Sequence, residues 1–191
     1  AIRDVLDRDA INIVVKETEA ELFLQKTGIQ PKLVVTDSQA FGYVSKIIPE
    51  DIPLTGFSVA YARMRGPFDA YAEGVKKLSD LKDGDRILML ESCTHQVSCE
   101  DIGRYKLPRW ISEFSQKELH FEAVSGLNEL TRPVTDYAMI IQCGGCMVTK
   151  KQIHNRLKTA MEAGVAVTNY GIAIAYLNGI YERAVKPFMQ K

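Results

Sequence analysis

No stretch of this 191-residue sequence reaches the roughly 20 apolar residues that a bilayer-spanning helix needs. The amino end, Ala1-Ile-Arg-Asp-Val-Leu6, has no signal-peptide pattern. Charge of one sign is not in excess either. The 24 basic residues balance 24 acidic ones, so the chain lacks the electrostatic footprint of a protein that binds nucleic acid or an anionic membrane surface. Neither partner is expected, and internal repeats and low-complexity segments are missing too. Histidine is scarce at three residues and cysteine at four. In the cytoplasm, the expected compartment, so few cysteines bind metal or do redox chemistry rather than form structural disulfides. With 46% hydrophobic residues the chain is expected to be globular, with one or two domains and a buried core. It opens on Ala1, already inside an apparent helix, and is expected to be a piece of a longer protein.

What the sequence does have is concentrated. All four cysteines and one histidine lie in two pieces, Glu91-Ser-Cys-Thr-His-Gln-Val-Ser-Cys-Glu-Asp-Ile-Gly-Arg104 and Gln142-Cys-Gly-Gly-Cys146. Each piece follows a short apolar run, Arg86–Leu90 or Tyr137–Ile141, that reads as a buried strand. Two parallel strands would deliver their thiols to one edge of a sheet, the carboxyl end, where open α/β sheets hold ligands.

The remaining pattern alternates helix and strand. An opening helix carries Ile2, Val5 and Leu6 on one face, and Ile11–Val15 reads as a strand. Thr18-Glu-Ala-Glu21 has capping-box spacing and predicts a helix from Thr18 to Gly28. Leu33–Val35 and Phe57–Ala60 read as further strands, around a helix capped by Asp37 or Ser38 with Phe41, Val44 and Ile48 inward. Gly66-Pro67 closes this first unit and opens a helix bearing Tyr71, Val75 and Leu78. A turn at 82–85, a helix after Pro108, a strand at 120–124 and a second capping box, Thr149-Lys-Lys-Gln152, follow. The Thr149 helix carries Ile153, Leu157 and Met161 and stops at Gly164. Val165–Thr168 is the last strand, and 171–190 reads as a largely apolar helix. The fold class is α/β: two small units, 1–62 and 63–191, with mainly parallel sheets flanked by helices.

Three chemistries suit these thiols. Zinc would take Cys93, His95, Cys143 and Cys146 as a closed tetrahedral set. A thioredoxin-like dithiol would use Cys143 and Cys146 alone. An iron–sulfur cluster would take Cys93, Cys143 and Cys146, with a fourth site on something else. The two glycines between Cys143 and Cys146 let the backbone curl around a bulky inorganic core.

Cys93-Thr-His95 followed by Gln142-Cys-Gly-Gly-Cys146 resembles the Cys-x-His and His-Cys-x-x-Cys signature of the HydF family, GTPases that help mature [FeFe]-hydrogenase. Leu33-Val-Val-Thr-Asp-Ser-Gln-Ala-Phe41, Leu81-Lys-Asp-Gly-Asp85, Asp101-Ile-Gly-Arg104 and Pro108-Arg-Trp110 resemble the family in the same order. Family members have a GTP-binding domain, a dimerisation domain and a cluster-binding domain. The resemblance covers only the last two, since no G-x-x-x-x-G-K-[S/T] loop is present.

The resemblance implies a homodimer joined through residues 1–62. Residues 63–191 would hold a [4Fe-4S] cluster through Cys93, Cys143 and Cys146 and carry the transient two-iron precursor of the hydrogenase active site. Its partners would be [FeFe]-hydrogenase and the other maturation proteins. This chain is expected to be a scaffold and not a catalyst; the alternative is a cysteine-based redox enzyme or a zinc-stabilised module. Gln142 stands where the family usually has histidine, and its neutral amide is a poor iron ligand. The fourth iron is therefore assigned to a carboxylate: Glu100 first, seven residues from Cys93, then Asp101, then water, with His95 as an alternative ligand or pocket residue. Cys99 falls outside the pattern and is expected to be a bystander. His120 and His154 are expected to be structural, and Tyr61, Tyr71 and Trp110 to belong to the core.

Overall fold

The structure is a computed structural model in which residues 2–37, 40–92, 102–126, 128–145 and 147–189 are described. Two parallel sheets organise it. In the smaller, β1 (Val34–Thr36) pairs with β2 (Leu54–Gly56), Val34 opposite Leu54. The larger sheet has the order β4-β3-β5-β6 and contains β3 (Arg86–Leu90), β4 (His120–Val124), β5 (Met139–Gln142) and β6 (Ala166–Asn169). All of its pairings are parallel. The central strands β3 and β5 are covered on both faces, which explains why Ile87–Leu90 and Met139–Ile141 are unbroken apolar runs, each residue 1% exposed or less.

The helices are α1 (Ile2–Leu6), α2 (Ala20–Thr27), α3 (Phe41–Ile47), α4 (Phe57–Arg65), α5 (Phe68–Gly74), α6 (Leu107–Ser115), α7 (Lys150–Glu162), α8 (Tyr170–Leu177) and α9 (Tyr181–Met189). Both α5 and α7 pack on β6, while α8 lies against α4, α6 and α9. The α7 cap has both capping-box bonds: Thr149 Oγ1 accepts from the Gln152 N–H at 3.2 Å, and Gln152 Oε1 accepts from the Thr149 N–H at 2.8 Å.

The last helix joins the two ends of the chain. It packs on β2, and the buried Thr55 hydroxyl donates to the Ala184 carbonyl at 2.7 Å. Arg183 donates to the carbonyls of Ser45, Ile48, Pro49 and Ile52 at 2.5–3.1 Å. A cation is thus placed on carbonyls at the carboxyl end of α3 and in the turn that follows it. One continuous core runs from Phe41, Leu54 and Val59 through the larger sheet to Ile172 and Val185.

Several expected elements are corrected. Phe57–Ala60 is not a strand. The strand lies three residues earlier, and Phe57 opens α4, whose Val59 and Ala62 face the core at helical spacing while Phe57, Tyr61 and Met64 face outward. Four apolar residues are too few to separate the two periods. Ile11–Val15 forms no strand and has no ladder partner among the described residues, and Ile11 is 88% exposed. β-Branched residues make a strand only where an edge is available to pair with.

The box at Thr18 does not form. Residues Glu17–Glu19 are a 3-10 turn, and α2 begins at Ala20 with no side-chain cap, although it ends at Gly28 in the left-handed conformation (φ 64°) as expected. The helix expected over 171–190 is two helices, α8 and α9, broken between Leu177 and Tyr181. Of the residues expected in the core, Tyr71 is buried, but Tyr61 is 37% exposed with the Arg65 guanidinium over its ring.

Candidate functional site

Register decides what meets at the carboxyl edge of the larger sheet. Leu90 of β3 lies opposite Gln142 of β5, and the Cys143 N–H extends the ladder by donating to the Leu90 carbonyl at 2.8 Å. The two chains therefore leave the sheet side by side. Cys143, half-buried and with a free thiol, lies against Ser92: the Ser92 N–H donates to its Sγ at 3.1 Å, and Ser92 Oγ is also 3.1 Å away. Gln142, 1% exposed, turns its amide Nε2 to Ser92 Oγ at 2.9 Å, the Cys143 carbonyl at 3.2 Å, the Leu90 carbonyl at 3.3 Å and Cys143 Sγ at 3.4 Å. Two donors, the Ser92 N–H and the Gln142 amide, thus converge on one sulfur, whose thiol in turn donates to Ser92 Oγ.

The loop that carries Cys93 is clamped where it leaves and where it returns. Glu91, 5% exposed, takes a forked ion pair from Arg104 (Nη2 to Oε2 2.8 Å, Nε to Oε1 3.0 Å) and a hydroxyl bond from Ser125 at 2.7 Å. Arg104 belongs to the π-helical turn Ile102–Lys106 that closes the loop. From α7, Arg156 donates to the Glu91 carbonyl at 2.7 Å and the Val124 carbonyl at 3.0 Å. Burial lowers the Arg156 pKa, while the charges of Cys143, Tyr170 and Glu91 favour its cation. Burial, with a smaller contribution from Cys143, pushes the Tyr71 phenol up and keeps it neutral.

The second cysteine piece is anchored on both sides of Cys146. Arg65 Nη1 donates to the carbonyls of Gly145 and Val148, each at 3.1 Å. Gly145 has φ 68°, and a Cβ there would come 2.5 Å from Ile153 Cδ1, so only glycine makes this turn. At Gly144 a Cβ would meet no atom of the described residues within 4 Å.

Of the expected ligands, Cys143 alone is among the described residues. Cys93, His95, Glu100, Asp101 and Cys146 lie outside them, as does Cys99. Among the described residues no three Cys, His, Asp or Glu side chains gather as a metal-holding group. His120 starts β4, at the opposite edge of the sheet, and His154 lies on α7 with Nε2 buried. Sequence reading missed Ser92, Arg65 and Arg156. Glu91 and Arg104 had a visible signal, being opposite charges at the two ends of the cysteine loop.

Residues 1–66 match the family model described as the hydrogen maturase F dimerization domain, and residues 69–187 match the hydrogen maturase F tetramerization domain. The chain belongs to the hydrogen maturase F family. Membership places it in hydrogenase maturation, in a family whose two matched domains are named for self-association. No curated protein matches it. The cysteine edge built by β3 and β5 lies within the tetramerization domain of this hydrogen maturase F chain, whereas Arg65, which holds the carbonyls around Cys146, comes from the dimerization domain. No helix among the described residues is long and apolar enough to cross a membrane.

Proposed function

We propose that the chain is a [4Fe-4S] scaffold that receives the two-iron precursor of the [FeFe]-hydrogenase active site as cargo and delivers it to the hydrogenase in the cytoplasm. The observation that carries this reading is the set of donors around Cys143. The thiol already has its acceptor in Ser92 Oγ, yet a backbone N–H and the Gln142 amide also point at the same sulfur, the arrangement that suits a metal-bound thiolate. The residues present fit the group. Cys93 follows Ser92 directly, a Cβ at Gly144 would meet no atom of the described residues within 4 Å, and the Gly145 turn leads into Cys146.

Cys93, Cys143 and Cys146 would hold the cluster, and Glu100 the fourth iron, ahead of Asp101, water and His95. The bound cluster would supply soft iron sites, one of them exchangeable because a hard carboxylate is poorly matched to it. The chain's own residues keep that edge in place. Glu91 and Arg104 fix the base of the Cys93 loop, and Arg65 fixes the turn around Cys146.

Iron and acid-labile sulfide assays on anaerobically reconstituted protein test the reading. Equal iron and sulfide are expected; bound zinc without sulfide would instead make this a zinc-stabilised module, and a dithiol that cycles without metal would make it a redox enzyme. Glu100→Ala should keep the iron but change the electron paramagnetic resonance spectrum of the reduced protein and tighten binding of added imidazole. An unchanged spectrum with unchanged imidazole affinity would move the ligand to Asp101, His95 or solvent.

Self-association is assigned to residues 1–62 as a homodimer. Ile11 and Val14 are 88% and 76% exposed, and Leu33 and Val35, just before and in β1 of the two-stranded sheet, are exposed as well. Light scattering should give at least twice the chain mass, and Ile11→Lys with Val14→Lys should halve it. A dimer that survives this double change and deletion of the segment contradicts the assignment.

A further inference from the structure

We infer that Ser92 and Gln142 form a hydrogen-bond relay onto the Cys143 sulfur that raises the reduction potential of the cluster, an inference that rests on the cluster reading above. The amide orientation of Gln142 is fixed chemically. Nε2 faces two backbone carbonyls, Leu90 at 3.3 Å and Cys143 at 3.2 Å, which accept and never donate, so the NH2 end must point there. Its shortest contact is Ser92 Oγ at 2.9 Å.

A serine hydroxyl has one proton. When its oxygen accepts from Gln142, that proton can be donated onward, and Cys143 Sγ is 3.1 Å away. In the free protein the thiol can donate back to Ser92. A metal-bound thiolate can only accept, so the hydroxyl turns its proton to sulfur, beside the Ser92 N–H that already donates to it. Ser92 is 6% exposed and Gln142 1%, so water does not compete for these donors.

Hydrogen bonds to ligand sulfur draw electron density from the cluster and favour its reduced, more negative form. Gln142 is a positioning residue here: apart from its longer 3.4 Å approach to sulfur, it acts through Ser92. The preceding residue of the Cys-x-x-Cys piece is thus recruited into the sulfur's hydrogen bonding rather than lost as a ligand.

The test is a redox titration, monitored by electron paramagnetic resonance, of the full chain reconstituted with iron and sulfide. Ser92→Ala removes the hydroxyl but keeps the backbone donor. It should change the reduced-to-oxidised ratio at fixed potential by about tenfold, a negative shift of about 59 mV for one electron. Gln142→Leu should shift in the same direction by less, and the double variant should match Ser92→Ala alone, because the two residues act in series. Ser92→Thr, which retains the hydroxyl, should restore the parent potential.

Equal midpoints in fully loaded parent, Ser92→Ala and Gln142→Leu proteins would overturn the relay and leave the cluster reading standing. So would shifts that add in the double variant, since parallel effects are not a relay. If Ser92→Ala does not load, Gln142→Leu decides alone by its shift. A parent chain that takes up no sulfide overturns the cluster reading, and the relay with it.

Discussion

Cys143→Ala is expected to give a folded chain that binds no cluster. Structurally the change is small: Cys143 is half-buried at the end of β5, and its backbone N–H still reaches the Leu90 carbonyl. The Ser92 N–H loses its sulfur acceptor, a cost of about 1 kcal/mol at an edge where Gln142 and Ser92 still hold each other. Chemically the change is large. Losing an outer hydrogen-bonding partner of a metal ligand already costs roughly 10–100-fold in metal affinity, and this substitution removes a ligand itself.

Cys93→Ala and Cys146→Ala should behave alike, and Cys99→Ala should keep its iron, because only the first three match the ligand pattern. Iron content, sulfide content and the brown absorbance report loading, while a circular dichroism melt shows that the fold is intact. A Cys99→Ala protein without cluster beside a loaded Cys93→Ala protein would refute the ligand set. Zinc retained by all four variants would refute the cluster as well.

How much of this edge is legible in the sequence depends on which groups build it. The convergence of the two cysteine pieces is legible because it rests on side-chain pattern: two apolar runs of strand length end directly before them, and the runs are β3 and β5, paired in parallel. The grip on that edge is not. Arg65 and Arg156 bind carbonyls of residues 32 to 83 positions away, and a carbonyl has no side-chain identity to read. Ser92 carries no signal of its own in the sequence, since its meaning comes from register.

The two capping boxes make the point locally. Thr18-Glu-Ala-Glu21 and Thr149-Lys-Lys-Gln152 have the same spacing, and only the second forms. α7 buries Ile153, Leu157 and Ala160, whereas α2 has no buried residue. Local capping contributes about 1 kcal/mol, and packing of an apolar face decides where a short helix starts. For Phe57–Ala60 the pattern is ambiguous in itself. For Ile11–Val15 the β-branched run suggests a strand, but it pairs with no strand among the described residues.

Gly74→Ala is expected to be among the most destabilising single-methyl additions in this chain, against what helix propensity alone predicts. Gly74 is the last residue of α5, and on intrinsic preference alanine in a helix would be about 1 kcal/mol better than glycine. A Cβ there, however, would stand 2.1 Å from the Val167 carbonyl oxygen, 2.7 Å from its nitrogen and 2.9 Å from its carbonyl carbon. All three are backbone atoms of β6, which is held in the sheet by β5 and cannot rotate aside as a side chain would. The helix must retreat, and overpacking of this kind costs about 1–3 kcal/mol or more, so sterics outweigh propensity. At about 2–4 °C per kcal/mol for a chain of this size, a net loss near 3 kcal/mol lowers the melting temperature by roughly 6–12 °C. The retreat also pulls Tyr71 from Thr168, whose hydroxyl donates to the Tyr71 carbonyl at 3.0 Å, and strains Asn169, which lies opposite Gln142. Cluster retention should therefore fall together with the melting temperature. Gly144→Ala is the control: its Cβ meets no atom of the described residues within 4 Å and its backbone is not in the left-handed region, so its melt should stay close to the parent's. A Gly74→Ala protein that melts at or above the parent temperature would show that α5 does not press on β6 at Val167.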